Sequence, residues 1–177
     1  MKIRKALAVI MPFIGMITGG VFGEGSVHAV DAVAPAGYRL LVNSINGKCV
    51  DVAGESSTRY AGIHQWGCEN GTNQFWLPLD LGNGYFALRN LNSGLCISRT
   101  PVTSRFAIVQ DLCNPSEPRQ QWRWAPGGDV LGHQLLQGNF SGDVSHCLAL
   151  TPYSSVNGAT IGIPSCATTS GQFFQFK

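Results

Sequence analysis

KCVDVAGESSTRYAGIHQWGCENGTNQFW, residues 48–76, decides how the rest of the chain is read. It holds a cysteine pair, Cys49 and Cys68, an acid at Asp51, an indole at Trp66 two residues before the second cysteine, and a closing Gln-x-Trp made by Gln74 and Trp76. The same order returns twice. Cys96 and Cys113 precede Gln120 and Trp122, and Cys147 and Cys166 precede Gln172 and Phe174. From first cysteine to closing glutamine the spacing is 25, 24 and 25 residues, and successive first cysteines lie 47 and 51 apart. A period of this size, kept three times, marks a chain built from three copies of one supersecondary unit.

Outside this grammar the chain has no sustained helical periodicity. It carries 22 glycines and only 12% charged residues in 177, so an all-β fold of short strands joined by turns is expected. In the first repeat, residues 38–42 read as a strand, Asn46-Gly47 as a hairpin turn whose residues tolerate positive φ, and 48–52 as the partner strand. Residues 62–67 and 74–79 supply the third and fourth strands. The second repeat gives strands at 85–90, 95–98, 106–110 and 121–125, with a turn at Asn92-Ser93-Gly94. The third gives 133–138, 146–150, 160–163 and 173–176, with a longer connection over 139–145. Twelve short strands in three four-stranded units, about 37–80, 81–127 and 128–177, cannot bury their apolar faces singly and should close round a shared core. Three such units leave no room for a second domain with its own core.

The N-terminus reads as an address. Lys2, Arg4 and Lys5 precede an apolar run over 6–17, and Val27-His28-Ala29 offers small residues for cleavage after Ala29. The run is shorter than the 18 or more uninterrupted apolar residues of a spanning helix, so residues 1–29 are expected to be a signal peptide, 30–36 a flexible leader, and the protein to be secreted, with no membrane span. Removing 1–29 takes away three bases and one acid, leaving nine of each and a formal charge of zero. A neutral mature chain gives no reason to expect a nucleic-acid partner.

Six cysteines allow 15 pairings, and the repeat selects one: Cys49 with Cys68, Cys96 with Cys113, Cys147 with Cys166. Each closes a loop of about 20 residues, worth roughly 3 kcal/mol in the chain-entropy view. Cys-x-x-Cys spacing is absent and the histidines are scattered, so neither a metal site nor any cofactor is expected, and with no cysteine left over there is no candidate catalytic thiol.

Three Gln-x-aromatic motifs in phase, each after a correctly spaced cysteine pair, resemble the ricin B-chain-type (QxW) lectin domain. The likeness runs over roughly residues 37–177. It implies a β-trefoil of three pseudo-symmetric four-stranded lobes, with Trp76, Trp122 and Phe174 as core and an intra-lobe disulfide in each. It also implies that a lobe can form a shallow sugar pocket from an acid two residues after the first cysteine, an aromatic two before the second, and an Asn-Gln pair opening the closing motif. The first lobe keeps Asp51, Trp66, Asn73 and Gln74, and places His64 where the family often has a glutamine. The chemistry suits a sugar: a carboxylate accepts hydroxyl hydrogen bonds, an amide adds donors and an acceptor, and an indole face covers the apolar C–H patch of a pyranose. Since glutamine recurs at 74, 120 and 172, its main role is expected to be structural. The second lobe has Ser98, Asp111 and Arg119 at the acid, aromatic and asparagine positions, and the third has Ala149, Pro164 and Gly171, so both are expected to serve the scaffold.

The resulting expectation is a secreted lectin with one sugar pocket, in the first repeat, for galactose-like or xylan-type glycans. No enzyme is expected: nucleophile-elbow, metal-histidine and phosphate-loop motifs are absent. Two alternatives remain, a secreted β-trefoil protease inhibitor and the cell-binding subunit of a multi-chain toxin, because a fold does not decide its use. With one pocket per chain, avidity for a glycan surface would call for self-association or attachment to a larger assembly.

Overall fold

The computed structural model describes residues 34–100, 108–125 and 133–177. The expected signal peptide, its cleavage site and leader residues 30–33 lie outside the described residues, as do positions 106 and 107 of one expected strand and the boundary between the second and third repeats. Twelve strands follow in chain order: β1 (Arg39–Asn43), β2 (Cys49–Val52), β3 (Ile63–Trp66), β4 (Phe75–Gly82), β5 (Tyr85–Asn90), β6 (Cys96–Arg99), β7 (Ile108–Asp111), β8 (Gln121–Trp124), β9 (Gln134–Asn139), β10 (Ala149–Leu150), β11 (Ile161–Gly162) and β12 (Phe173–Phe176).

Six of them close an antiparallel ring. β1 pairs with β4 and β12, β4 with β5, β5 with β8, β8 with β9, and β9 with β12. Closure removes the exposed strand edges that an open sheet would leave. The other six form one hairpin per repeat, β2–β3, β6–β7 and β10–β11. This is the expected β-trefoil of three four-stranded units.

The core repeats with the sequence. Leu41, Leu88 and Leu136 come from the first barrel strand of each unit, and Trp76, Trp122 and Phe174 from the last; all six are at most 1% exposed. Val50, Ile97 and Leu148, each following a first cysteine, join the same apolar cluster from the hairpins. Each such side chain contributes about 1.5–3 kcal/mol when fully buried, and here that burial is completed by side chains of the other two units. The indole N–H of Trp76 donates to the Val50 carbonyl at 3.0 Å and that of Trp122 to Ile97 at 3.4 Å. Phe174 keeps the packing and has no N–H to offer Leu148.

The three disulfides are Cys49–Cys68, Cys96–Cys113 and Cys147–Cys166, all within a repeat. A buried glutamine braces the chain on either side of each second cysteine. Gln74 Nε2 donates to the Gly67 carbonyl and its Oε1 accepts from Glu69 N–H. Gln120 does the same with Leu112 and Asn114, and Gln172 with Ser165 and Ala167. To turn inward, these glutamines end short 3-10 turns, Thr72–Gln74, Pro118–Gln120 and Ser170–Gln172. The fourth strand of the first repeat therefore starts at Phe75, one residue later than the hydrophobic pattern suggests. β10 and β11 are also shorter than expected. Pro152 and Pro164 lie just beyond them, and neither has a backbone N–H to extend a ladder.

Candidate functional site

In the first repeat, β2 and β3 set the register. Asp51 stands opposite His64, and Cys49 opposite Trp66. Side chains of directly opposed residues meet on one face of an antiparallel pair. Along β3, Ile63 and Gln65 are buried, whereas His64 and Trp66 are half-buried and share the other face. After β2 the chain turns through Ala53–Glu55, with Gly54 at φ 63° and Glu55 at φ 52°. Glycine enters the left-handed region freely; glutamate does so at a cost.

Asp51 is the hub. It is 4% exposed, and both carboxylate oxygens are engaged. Oδ1 lies 2.8 Å from His64 Nε2. Oδ2 accepts from Asn73 Nδ2 at 2.9 Å and from Gln74 Nε2 at 2.8 Å. A carboxylate only accepts, so the His64 proton facing it sits on Nε2. Three of about four lone-pair directions are thereby filled, leaving room for one hydroxyl at Oδ1 rather than the two that a free carboxylate would take. Asn73 also donates to the Val52 carbonyl at 3.3 Å. A Cβ on Gly71 would lie 2.5 Å from Asn73 Oδ1, so glycine at 71 makes room for this amide.

Trp66 and His64 form a continuous shelf, with ring centroids 5.5 Å apart and planes 23° from parallel. The indole N–H donates to Glu69 Oε1 at 3.2 Å. The third repeat supports this edge: Asn157 Oδ1 accepts from Gly67 N–H at 3.0 Å and from Lys48 Nζ at 2.6 Å. Above the hub lies an open depression of about 270 Å³, lined by all five expected residues, Asp51, His64, Trp66, Asn73 and Gln74. Glu55, Glu69, Gly54 and Gly71 also line it and were missed by the sequence pattern. Glu69 directly follows Cys68, a position inside the motif that could have drawn notice. Glu55 is brought in by a turn that spacing alone does not reveal.

The corresponding positions elsewhere are committed to other contacts. Asp111, where an aromatic would stand, pairs with Arg59 at 2.6 Å, tying the second repeat to the first. Burial pushes the Asp111 carboxyl up, but the Arg59 hydrogen bond, the Leu112 N–H and the Arg59 and Arg119 charges outweigh it and hold the group below the usual carboxylate range. Arg119 is bound to Glu117, and Ser98 Oγ donates to the Arg99 carbonyl. In the third repeat Ala149 is buried, and a side chain at Gly171 would meet the Leu150 carbonyl at 3.1 Å. Among the described residues, no cluster of three or more His, Cys, Asp or Glu could hold a metal ion, and no helix is long and apolar enough to cross a membrane.

The family described as ricin-type beta-trefoil lectin domain-like matches residues 29–100. The designed 3-fold symmetric protein ThreeFoil is similar over 79% of this chain and 97% of its own, at 30% identity and a TM-score of 0.71. The earthworm R-type lectin C-half, solved in complex with GalNAc, is similar over 79% and 97%, at 18% identity and a TM-score of 0.63. The exo-beta-1,3-galactanase 1,3Gal43A from Clostridium thermocellum is similar over 82% of this chain at 22% identity and a TM-score of 0.69, and this chain spans only 31% of that protein. No curated protein matches the chain by sequence.

Proposed function

We propose, from the premise that this chain belongs to the ricin-type β-trefoil lectin domain-like family, that it is a non-catalytic carbohydrate-binding protein whose one sugar pocket lies in the first repeat. The observation that carries this reading is the pairing of a buried acid with an aromatic shelf. Asp51 is fixed by His64, Asn73 and Gln74 at the foot of Trp66, while the same positions in the other repeats are taken up by internal contacts. A pyranose laid on Trp66 would turn its apolar C–H face to the indole and a hydroxyl to Asp51 Oδ1. Galactose-like glycans are favoured, with xylan-type chains next. In support, the two similar natural proteins described above are respectively bound to GalNAc and named for galactan.

Three intra-repeat disulfides suit an oxidising compartment, and export through residues 1–29 is part of the proposal. N-terminal sequencing of secreted protein should begin at Val30. A glycan array probed with the mature protein and with Trp66→Ala tests the pocket. Binding to galactose-type or xylan-type glycans that Trp66→Ala removes supports it. Undiminished binding by the variant would place the site elsewhere.

A further inference from the structure

Resting on that sugar-pocket reading, we propose that the first-repeat pocket selects its ligand by charge: it prefers hexoses carrying a free, protonated amine and rejects acidic sugars. The basis is a count of donors and acceptors.

Every side-chain donor lining the depression is spent inside the protein. The two Asn73 amide protons go to Asp51 Oδ2 and the Val52 carbonyl. The two on Gln74 go to Asp51 Oδ2 and the Gly67 carbonyl. His64 Nε2–H faces Asp51, and the Trp66 indole N–H is held by Glu69. What faces the ligand is a surplus of acceptors: the remaining lone pair on Asp51 Oδ1, the second oxygen of Glu69, and the carboxylate of Glu55. Glu55 is exposed at the rim, and its backbone is fixed there by Asn92, whose Nδ2 donates to the Glu55 carbonyl at 2.8 Å. Among the described residues lining the depression there is no lysine or arginine.

A ligand suits such a site when it brings donors. An ammonium group brings three donors, a positive charge and no acceptor. A neutral hexose can donate its hydroxyls and binds less strongly. A uronic acid brings a carboxylate that only accepts, into a site with three carboxylates and no side-chain donor left for it.

The test compares two series that differ only in charge, galactose with galactosamine and galacturonic acid, and glucose with glucosamine and glucuronic acid. Each is titrated into the mature protein at low ionic strength with the amine protonated, and the Trp66 indole N–H resonance is followed by NMR. In whichever series binds, the amine should be favoured over the neutral sugar by about tenfold, the scale of two exposed ion pairs. The acid should show no saturation, and high salt should erode the preference. The double variant E55Q/E69Q, in which glutamine at 69 still offers an oxygen to Trp66, should lower the amine-to-neutral ratio several-fold, to what Asp51 alone sustains, whatever it does to affinity for the neutral sugar. Equal binding of amine and neutral sugars, or a preference undiminished in the double variant, overturns the charge selection and leaves the pocket standing. If no sugar in either series, nor xylose or a xylan oligosaccharide run beside them, shifts the Trp66 signal, the pocket reading fails and the inference falls with it.

Discussion

Asp51 Oδ1 lies 2.8 Å from Nε2 of His64, its partner across the β2–β3 ladder. With two amides on the other oxygen, Asp51 holds together the side chains that line the depression. Asp51→Ala leaves the Asn73 and Gln74 amides without their buried acceptor, a loss of about 1–3 kcal/mol. Urea denaturation should show that drop, and calorimetry should show no sugar binding. Unchanged stability would mean that the acid does not organise its neighbours.

Trp66 should behave differently, because it is half-buried and lies at the pocket edge. Trp66→Ala should abolish glycan binding while changing stability by no more than about 1 kcal/mol. Ser98→Ala and Asp111→Ala, at the corresponding positions of the second repeat, should leave binding intact. Loss of binding in either of those would contradict a single site.

Gly71 offers a steric test. Its φ of −66° is open to any residue, so the effect of Gly71→Ala comes from the Cβ that would sit 2.5 Å from Asn73 Oδ1. The amide must turn away from Asp51. Sugar affinity should fall by roughly tenfold, about the value of one hydrogen bond to a charged group. An unaltered affinity, measured by calorimetry, would show that Asn73 plays no part in the site.

The strand order, the disulfides and the core aromatics were legible because they repeat. Leu41, Leu88 and Leu136, or Trp76, Trp122 and Phe174, occupy the same place in each copy, so a pattern weak in one unit is reinforced by the other two. Features particular to one copy were not legible. That His64 meets Asp51 depends on cross-strand register, and Glu55 reaches the depression only through the turn that follows β2. Contacts between repeats were equally hidden. Gln65 reaches from the first repeat to the Ser154 and Val156 carbonyls of the third, and Gln110 from the second to Ser56 and Thr58 of the first. Nothing in the local sequence announces a partner about 50 to 90 residues away.

Acid should weaken the contacts made by the second repeat. A hydrogen bond from Arg119 holds the Glu117 carboxyl below its ordinary range. Asp111 is lowered as well, since Arg59 and the Leu112 N–H outweigh the effect of burial. Because their folded pKa values are depressed, both groups stabilise the fold above the unfolded carboxylate pKa, and that contribution is lost as pH falls through the folded values. Melting temperature should therefore decline below about pH 4, and less steeply in Arg59→Ala or Arg119→Ala. An identical slope in both variants would show that these pairs do not report on stability.

The strength of binding follows from the size of the site. One open depression of about 270 Å³, with a single indole shelf and an acid that has room for one more hydrogen bond, makes few contacts to a monosaccharide. A dissociation constant of about 0.1–10 mM is expected, roughly −3 to −5 kcal/mol. Linked sites can add two to four orders of magnitude of avidity without new contacts, but only when several working pockets are joined. The other two repeats have used those positions for Asp111–Arg59, Arg119–Glu117 and buried Ala149. A monomer should therefore bind one sugar per chain and fail to agglutinate cells, and action on a multivalent glycan surface would require self-association or a larger assembly. Light scattering coupled to size-exclusion chromatography, beside haemagglutination and monosaccharide calorimetry, decides this. A monomer that agglutinates strongly, or a stoichiometry above one sugar per chain, would reveal a working pocket in the second or third repeat.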